Sequence, residues 1–300
     1  MLISASYKTD IPAFYGDWFM NRLNAGYCLM RNPYSGKITR VELAREAVDG
    51  FIFWTKNLGP FVKNLNEVQR RGFPFMVQYT INGYPRELEV SVVEAAKAAD
   101  QVRQVSDRFG KDVVVWRYDT ILLTSLTPVE FHLENFERIA KLLRGYTNEC
   151  VISFAQIYRK TKRNLDRAAA EEDFTWREPA NEERLRTLRT FLQITKANGM
   201  DLTVCSQPEF AGHGIGEAHC MDAQRLSRIA GHTIAAKLHG MRPGCGCYQS
   251  KDIGDYDTCP HGCVYCYAVQ NRELAKRRFA EHDPAGEMLF QNHSTRIGAD

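Results

Sequence analysis

The sequence predicts an α/β fold: a partial or complete (βα) barrel of the TIM type, with a Cys-rich loop segment closing over its mouth. Three observations carry this expectation. Short apolar runs recur through the first two thirds of the chain. Amphipathic helical stretches lie between them. From His239 both patterns give way to glycine and cysteine, in HGMRPGCGCYQSKDIGDYDTCPHGCVYCY (239–267).

Six runs read as strands: LISAS (2–6), GFIFWTKN (50–57), PFMVQYTI (74–81), DVVVWRYD (112–119), CVISFAQIY (150–158) and DLTVCSQ (201–207). Their near-continuous apolar character, rich in β-branched and aromatic residues, suits strands covered on both faces. The intervening helices carry end signals. Ser91 and Glu94 form a capping box ahead of VVEAAKAADQVRQVSDRF, which Gly110 ends. Thr127, Pro128 and Glu130 open a second helix, stopped by Gly145. Asn181, Glu182 and Glu183 open a third, ending at Gly199. Strand and helix in repeated alternation give a parallel sheet with crossover helices. No GxGxxG follows the first strand and no GxxxxGK[ST] occurs, so the phosphate-binding doubly wound folds lack their markers. We divide the chain into a barrel over 1–240 and a Cys-rich segment with a final helix, NRELAKRRFAEHD, over 241–300, packed as one domain.

The 300 residues are 44% hydrophobic and 25% charged, the composition of a globular protein with a sizeable core. A net charge of +3 argues neither for nor against a nucleic-acid partner. The start, MLISASYKTD, lacks the basic flank and apolar core of a signal peptide, and no run approaches the roughly 18 apolar residues of a membrane span. The expectation is a cytoplasmic protein with no membrane partner.

Five of the nine cysteines crowd into residues 245–266. In a reducing compartment such clustering points to metal or redox chemistry. The tightest unit is Cys259-Pro-His-Gly-Cys263-Val-Tyr-Cys266. A zinc site usually gathers four ligands; three thiolates on one short loop instead suit three irons of a cubane 4Fe–4S cluster. The fourth iron is then free to hold a substrate or cofactor.

This C-x3-C-x2-C pattern, with Tyr265 before the last cysteine, resembles the cluster motif of radical S-adenosylmethionine (SAM) enzymes. The resemblance implies a 4Fe–4S cluster on Cys259, Cys263 and Cys266, and SAM chelated by the open iron. It also implies reductive release of a 5′-deoxyadenosyl radical, Tyr265 beside the adenine, and an electron donor such as flavodoxin or ferredoxin. In most of that superfamily the loop follows the first barrel strand; here six predicted strands precede it. The chain more closely resembles an uncharacterised domain family with a radical-SAM-like cysteine cluster at the C-terminus. The matching stretches are ISASYKTDIPAFY, FWTKN and RPGCGC…KDIGDYDTCPHGCVYCYA. The resemblance supplies no substrate.

Cys205 ends a predicted strand, Cys220 lies in the loop AGHGIGEAHC, and Cys245 and Cys247 form a CxC. Together they make a candidate four-thiolate auxiliary site, for a second cluster or zinc. The plain alternative makes Cys205 and Cys220 buried apolar fillers, with one CxC cysteine completing the first cluster. Cys28, in a predicted helix, and Cys150, opening a strand, read as buried fillers.

The predicted strands end in polar residues that a barrel gathers at one mouth. We take Lys56, Arg117 and Asp119 as candidate catalytic groups, and Tyr265, Asp10, Asn57 and Gln78 as candidate cofactor contacts. Helix caps and structural ion pairs are the plain alternatives, and Asp10 before Ile-Pro is a natural cap. The basic run YRKTKRN (158–164) reads as a solvated loop rather than a nucleic-acid contact, and His213, His219 and His261 as lesser metal candidates. The leading expectation is a radical SAM-like enzyme of unknown substrate. A zinc-ordered non-enzymatic module, nucleic-acid binding included, and an iron–sulfur electron carrier are the alternatives.

Overall fold

A computed structural model describes residues 1–33, 35–240 and 244–291. All six predicted strand runs contain a strand, and two further short strands join them. The central sheet comprises β1 (Leu2–Ala5), β2 (Gly50–Thr55), β3 (Phe75–Thr80), β4 (Val114–Ile121), β5 (Glu149–Phe154), β6 (Asp201–Val204), β7 (Gly216–Glu217) and β8 (Ser250–Asp252). The order is β7-β6-β5-β4-β3-β2-β1-β8, and every neighbouring pair is parallel. Each of the first seven strands thus lies beside its predecessor, while β8 returns to β1. The result is an eight-stranded parallel α/β sheet.

Alternation along the strands sorts the side chains. Ile3, Phe51, Phe53, Phe75, Val77, Tyr79, Trp116 and Tyr118 belong to the large core with the surrounding helices. Leu2, Ile52, Met76, Val115 and Val151 belong to a second core, shared with Leu226, Cys205, Cys220 and Cys247. Two residues further along the same face stand Ser4, Trp54, Gln78, Arg117 and Ser153. This face is therefore apolar near the strand starts and polar near their ends. The helix Ala223–Ala230 packs at the apolar end. Its Arg225 donates to Asp112 O at 2.9 Å and pairs with Glu149 at 2.5 Å, both at strand starts. Gly50 makes room for it, because a Cβ there would lie 3.1 Å from Leu226.

Several local expectations are corrected. Cys28 lies in a strand, Tyr27–Arg31, paired antiparallel with Ile38–Glu42; the preceding helix stops at Gly26, whose φ of 75° is left-handed. The strand predicted over 150–158 ends at Phe154, and the basic run begins the helix Arg159–Glu171 instead of forming a loop. Ser91 does not cap the helix Ala95–Phe109: its N–H donates to His261 O at 2.9 Å and its hydroxyl accepts from Arg272 at 2.7 Å. Tertiary partners have displaced the capping box. The final helix, Arg272–Ala280, is capped by Asn271, whose Oδ1 accepts from Leu274 N.

Candidate functional site

The tight cysteine loop docks on the segment that follows β3. Glu89 and Cys263 form an isolated antiparallel bridge, and Val264 N donates to Leu88 O at 3.1 Å. The loop turns at Gly262, whose φ is 76°; a Cβ there would also fall 2.6 Å from Arg272 Nε. The left-handed backbone disfavours any side chain here, and a Cβ would also force Arg272 to move.

Docking drives Tyr265 down onto the C-terminal ends of the strands. Its hydroxyl donates to Glu89 and accepts from Lys56 Nζ at 3.1 Å and Asn82 Nδ2 at 2.9 Å. Lys56 follows β2, Asn82 follows β3, and Asn82 also holds the backbone of Asp119 in β4. Lys56 and Glu89 pair at 2.7 Å, with side-chain exposures of 14% and 3%. Burial alone would lower the Lys56 pKa; the Glu89 carboxylate and Cys263 outweigh it and raise the value. Lys56 thus stays a cation, beside the cysteine loop.

His261 fixes the loop from the other side. Its ring is buried and its Nε2 lies 2.7 Å from Asp10 Oδ2. Asp10 also accepts from Lys56 N at 2.7 Å and from Ala13 N at 2.9 Å, capping the helix Ile11–Phe14. The structure therefore gives Asp10 its cap reading, extended to hold both Lys56 and the loop. Asn57 is likewise engaged, accepting from Gly59 N at 3.2 Å and Gln101 Nε2 at 3.0 Å.

Cys259, Cys263 and Cys266 are partly exposed, and all three line one cavity of about 600 Å³. Its far walls carry Asn164 and Arg167 of the basic helix, with Arg272 and Glu273 of the final helix. Asn164 donates to Val269 O at 3.2 Å, and its buried Oδ1 has no hydrogen-bond partner. Burial, first of all, raises the pKa of each thiol, and Cys263 and Cys266 add to the effect on Cys259. Ala268 N donates to Cys266 Sγ at 3.4 Å. None of the strand-end candidates Lys56, Arg117, Asp119, Asp10, Asn57 or Gln78 lines this cavity.

Arg117, Asp119 and Gln78 belong elsewhere, to the second cysteine group. Arg117 pairs with Asp119, donates to Gln78 Oε1 at 3.2 Å, and lies 2.9 Å from Cys220 Sγ. Gln78 Nε2 donates to Cys220 O at 2.9 Å, and Asp119 accepts from Ser153. Cys205 and Cys220 stand 3.5 Å apart; Cys220 also contacts Cys247, and Cys247 contacts Cys245. The fold has gathered all four predicted thiols. Among the described residues, no group of three or more His, Cys, Asp or Glu stands, as placed, in a position to hold a metal ion.

The sequence reading missed Glu89 and Asn82. Glu87 and Glu89 alternate with Leu88 and Val90, a pattern that places carboxylates on a solvated face. Leu88 and Glu89 are both buried, because the cysteine loop covers the other side. It also missed Asp252, buried in β8, which accepts from Ser4 and Ser6 hydroxyls at 2.8 Å and lies 3.5 Å from Lys8 Nζ. No described helix is long and apolar enough to cross a membrane.

Residues 2–268 match the profile of a family described as a domain of unknown function, DUF1848. The chain belongs to the DUF1848 family. No curated protein and no solved structure matches it. The family match spans all eight strands and ends just beyond Cys266, so the sheet and both cysteine groups of this DUF1848 chain lie inside it.

Proposed function

We propose that this DUF1848 chain is a radical SAM-like enzyme that holds a 4Fe–4S cluster on Cys259, Cys263 and Cys266. The observation that carries the reading is their shared exposure to one cavity, with no fourth cysteine among its lining residues. Three thiols with one open face suit a cluster with one free iron. The thiols fit such a group chemically. Packed together and partly buried, they oppose ionisation through burial and mutual charge, a cost that positively charged irons would offset. A cubane takes each cysteine on a separate iron, so the lack of a single-ion cage does not oppose it. When bound with SAM, such a cluster supplies one electron that cleaves the sulfonium and yields a 5′-deoxyadenosyl radical.

The chain's own residues supply position and charge. Lys56 sets a fixed cation beside Cys263 and Cys266, offsetting thiolate charge. Tyr265, held by Lys56, Glu89 and Asn82, fixes the loop to the segments that follow β2 and β3, so its predicted adenine contact would involve its ring face or edge rather than its hydroxyl. Asn164 Oδ1 is a free acceptor for an N–H of the ligand. A cavity of about 600 Å³ is of the size of ordinary small-molecule sites. The sequential sheet order, with β8 returning to β1, supports our reading of a curved, barrel-like sheet.

The test is anaerobic reconstitution with iron and sulfide, then EPR of the reduced protein with and without SAM, and assay for 5′-deoxyadenosine. A cluster signal that changes on adding SAM, with 5′-deoxyadenosine formed, supports the reading. A reconstituted, reduced cluster that leaves SAM intact and whose signal ignores it overturns the reading.

A further inference from the structure

The second cysteine group is a separate feature with its own logic. Cys205 directly follows β6, Cys220 lies just beyond β7, and Cys245 and Cys247 precede β8. β7 and β8 are the two edges of the sheet, and no hydrogen-bonded pairing joins them among the described residues. The thiols therefore span the seam between the edges. Other links cross there too: Tyr248 N donates to Met221 O at 3.0 Å, and His219 Nδ1 contacts Gly246 O. Cys205, Cys220 and Cys247 are 7%, 2% and 2% exposed, so they offer no open face to a substrate.

We propose that Cys205, Cys220, Cys245 and Cys247 form a structural zinc site that staples the two edges of the sheet. Spacing favours a single ion over a second cubane. A tetrahedral ion with metal–sulfur bonds of about 2.3 Å has sulfur–sulfur edges of about 3.8 Å. The observed Cys205–Cys220 separation of 3.5 Å is van der Waals contact, which a tetrahedral edge would need little change to match, whereas ligands on different irons of a cubane would have to move well apart. The contacts run in sequence, 205 to 220 to 247 to 245, a chain rather than a shell, so these side chains must rotate around the ion as it binds. Closed four-thiolate shells are the structural kind of zinc site; catalytic ones keep a position open. Four thiolates on one divalent ion leave excess negative charge, and Arg117, buried and 2.9 Å from Cys220 Sγ, lies where it offsets that charge. Gln78 then orients the Cys220 backbone as an outer partner. Binding releases the thiol protons to solvent and involves no oxidation or reduction.

The inference stands apart from the radical SAM reading, and one experiment separates them. Full-length protein and the Cys259→Ala/Cys263→Ala/Cys266→Ala variant are purified anaerobically from zinc-supplemented cells without chelator, and their metals measured. We expect about one zinc per chain in both, lost in Cys220→Ala and Cys247→Ala and kept in Cys28→Ala. Cobalt(II) added to zinc-depleted wild-type protein is expected to show tetrahedral thiolate absorption, which keeps the test decisive if a variant fails to fold. Zinc removal is expected to speed proteolysis between β6 and β8 about tenfold, as the seam opens more often. Absence of zinc from the wild type, retention in Cys220→Ala, iron with sulfide in the triple variant, or cobalt without a tetrahedral thiolate spectrum would overturn it.

Discussion

Cys259, Cys263 and Cys266 come from one stretch of eight residues, whereas Cys205, Cys220, Cys245 and Cys247 come from three loops around the sheet edges. The first group is partly exposed on a cavity; the second, Cys245 apart, is buried against apolar strand residues. A short loop must leave one side of its ligands open, because the chain can wrap only part of what it binds. Ligands brought from several directions can close completely. On the two proposals above, the same side chain serves cofactor chemistry in one place and stapling in the other. Their cations differ accordingly. Lys56 reaches the first group from a strand end while tied to Glu89; Arg117 meets the second from within β4.

Breaking the open group should have the largest effect. Cys263→Ala is expected to remove the cluster, about four irons per chain, and abolish SAM cleavage, while the zinc of the second group remains. Loss of both metals in this variant, measured by elemental analysis, would make the two groups one site.

The support beneath the open group comes next. Lys56→Met leaves Glu89 buried without its cation and should cost about 3–5 kcal/mol. Urea unfolding of the apoprotein checks this, and Lys56→Met/Glu89→Met should recover most of the loss, since the buried carboxylate goes with its partner.

A smaller effect is expected from pH. His132, fully buried between Tyr118 and the Leu122 carbonyl, has its pKa lowered by burial to about 4. It folds neutral, so the stability it contributes is complete above its unfolded pKa of about 6.5 and is lost as pH falls towards 4. The loss should approach about 3 kcal/mol at the low end, and unfolding curves at several pH values should flatten in His132→Gln.

Gly262→Ala should have the smallest effect, about 1–2 kcal/mol from the left-handed backbone, with a further cost from Arg272. Thermal melts of Gly262→Ala alone and with Arg272→Ala separate the two: the second change should return only the clash. An equal substitution at Gly246, where a Cβ would lie 3.1 Å from His219, compares the loop of the second group.

Much of this was legible in the sequence. The strands were, because apolar runs at parallel-sheet spacing have few other solutions. The open cysteine group was, because its three thiols are neighbours in the chain. The four scattered thiols were legible only as candidates, since a buried cysteine and a ligand look alike in sequence. The short strands Gly216–Glu217 and Ser250–Asp252 carry no apolar run and owe their pairing to β6 and β1. The strand-end residues were found as a class but not in their roles. Asp10 and Asn57 turned out to hold backbone, and Arg117, Asp119 and Gln78 to surround Cys220.

The sequence by itself determined the repeating α/β order and the spacing of Cys259, Cys263 and Cys266, because both rest on periodicity and chain neighbours. Only the tertiary structure decided that Tyr265 would be anchored on Lys56, Glu89 and Asn82, and that four distant cysteines would meet at the seam. Those contacts join residues far apart in the chain, and it is the twist and order of the sheet, rather than any local preference, that brings them within hydrogen-bond reach.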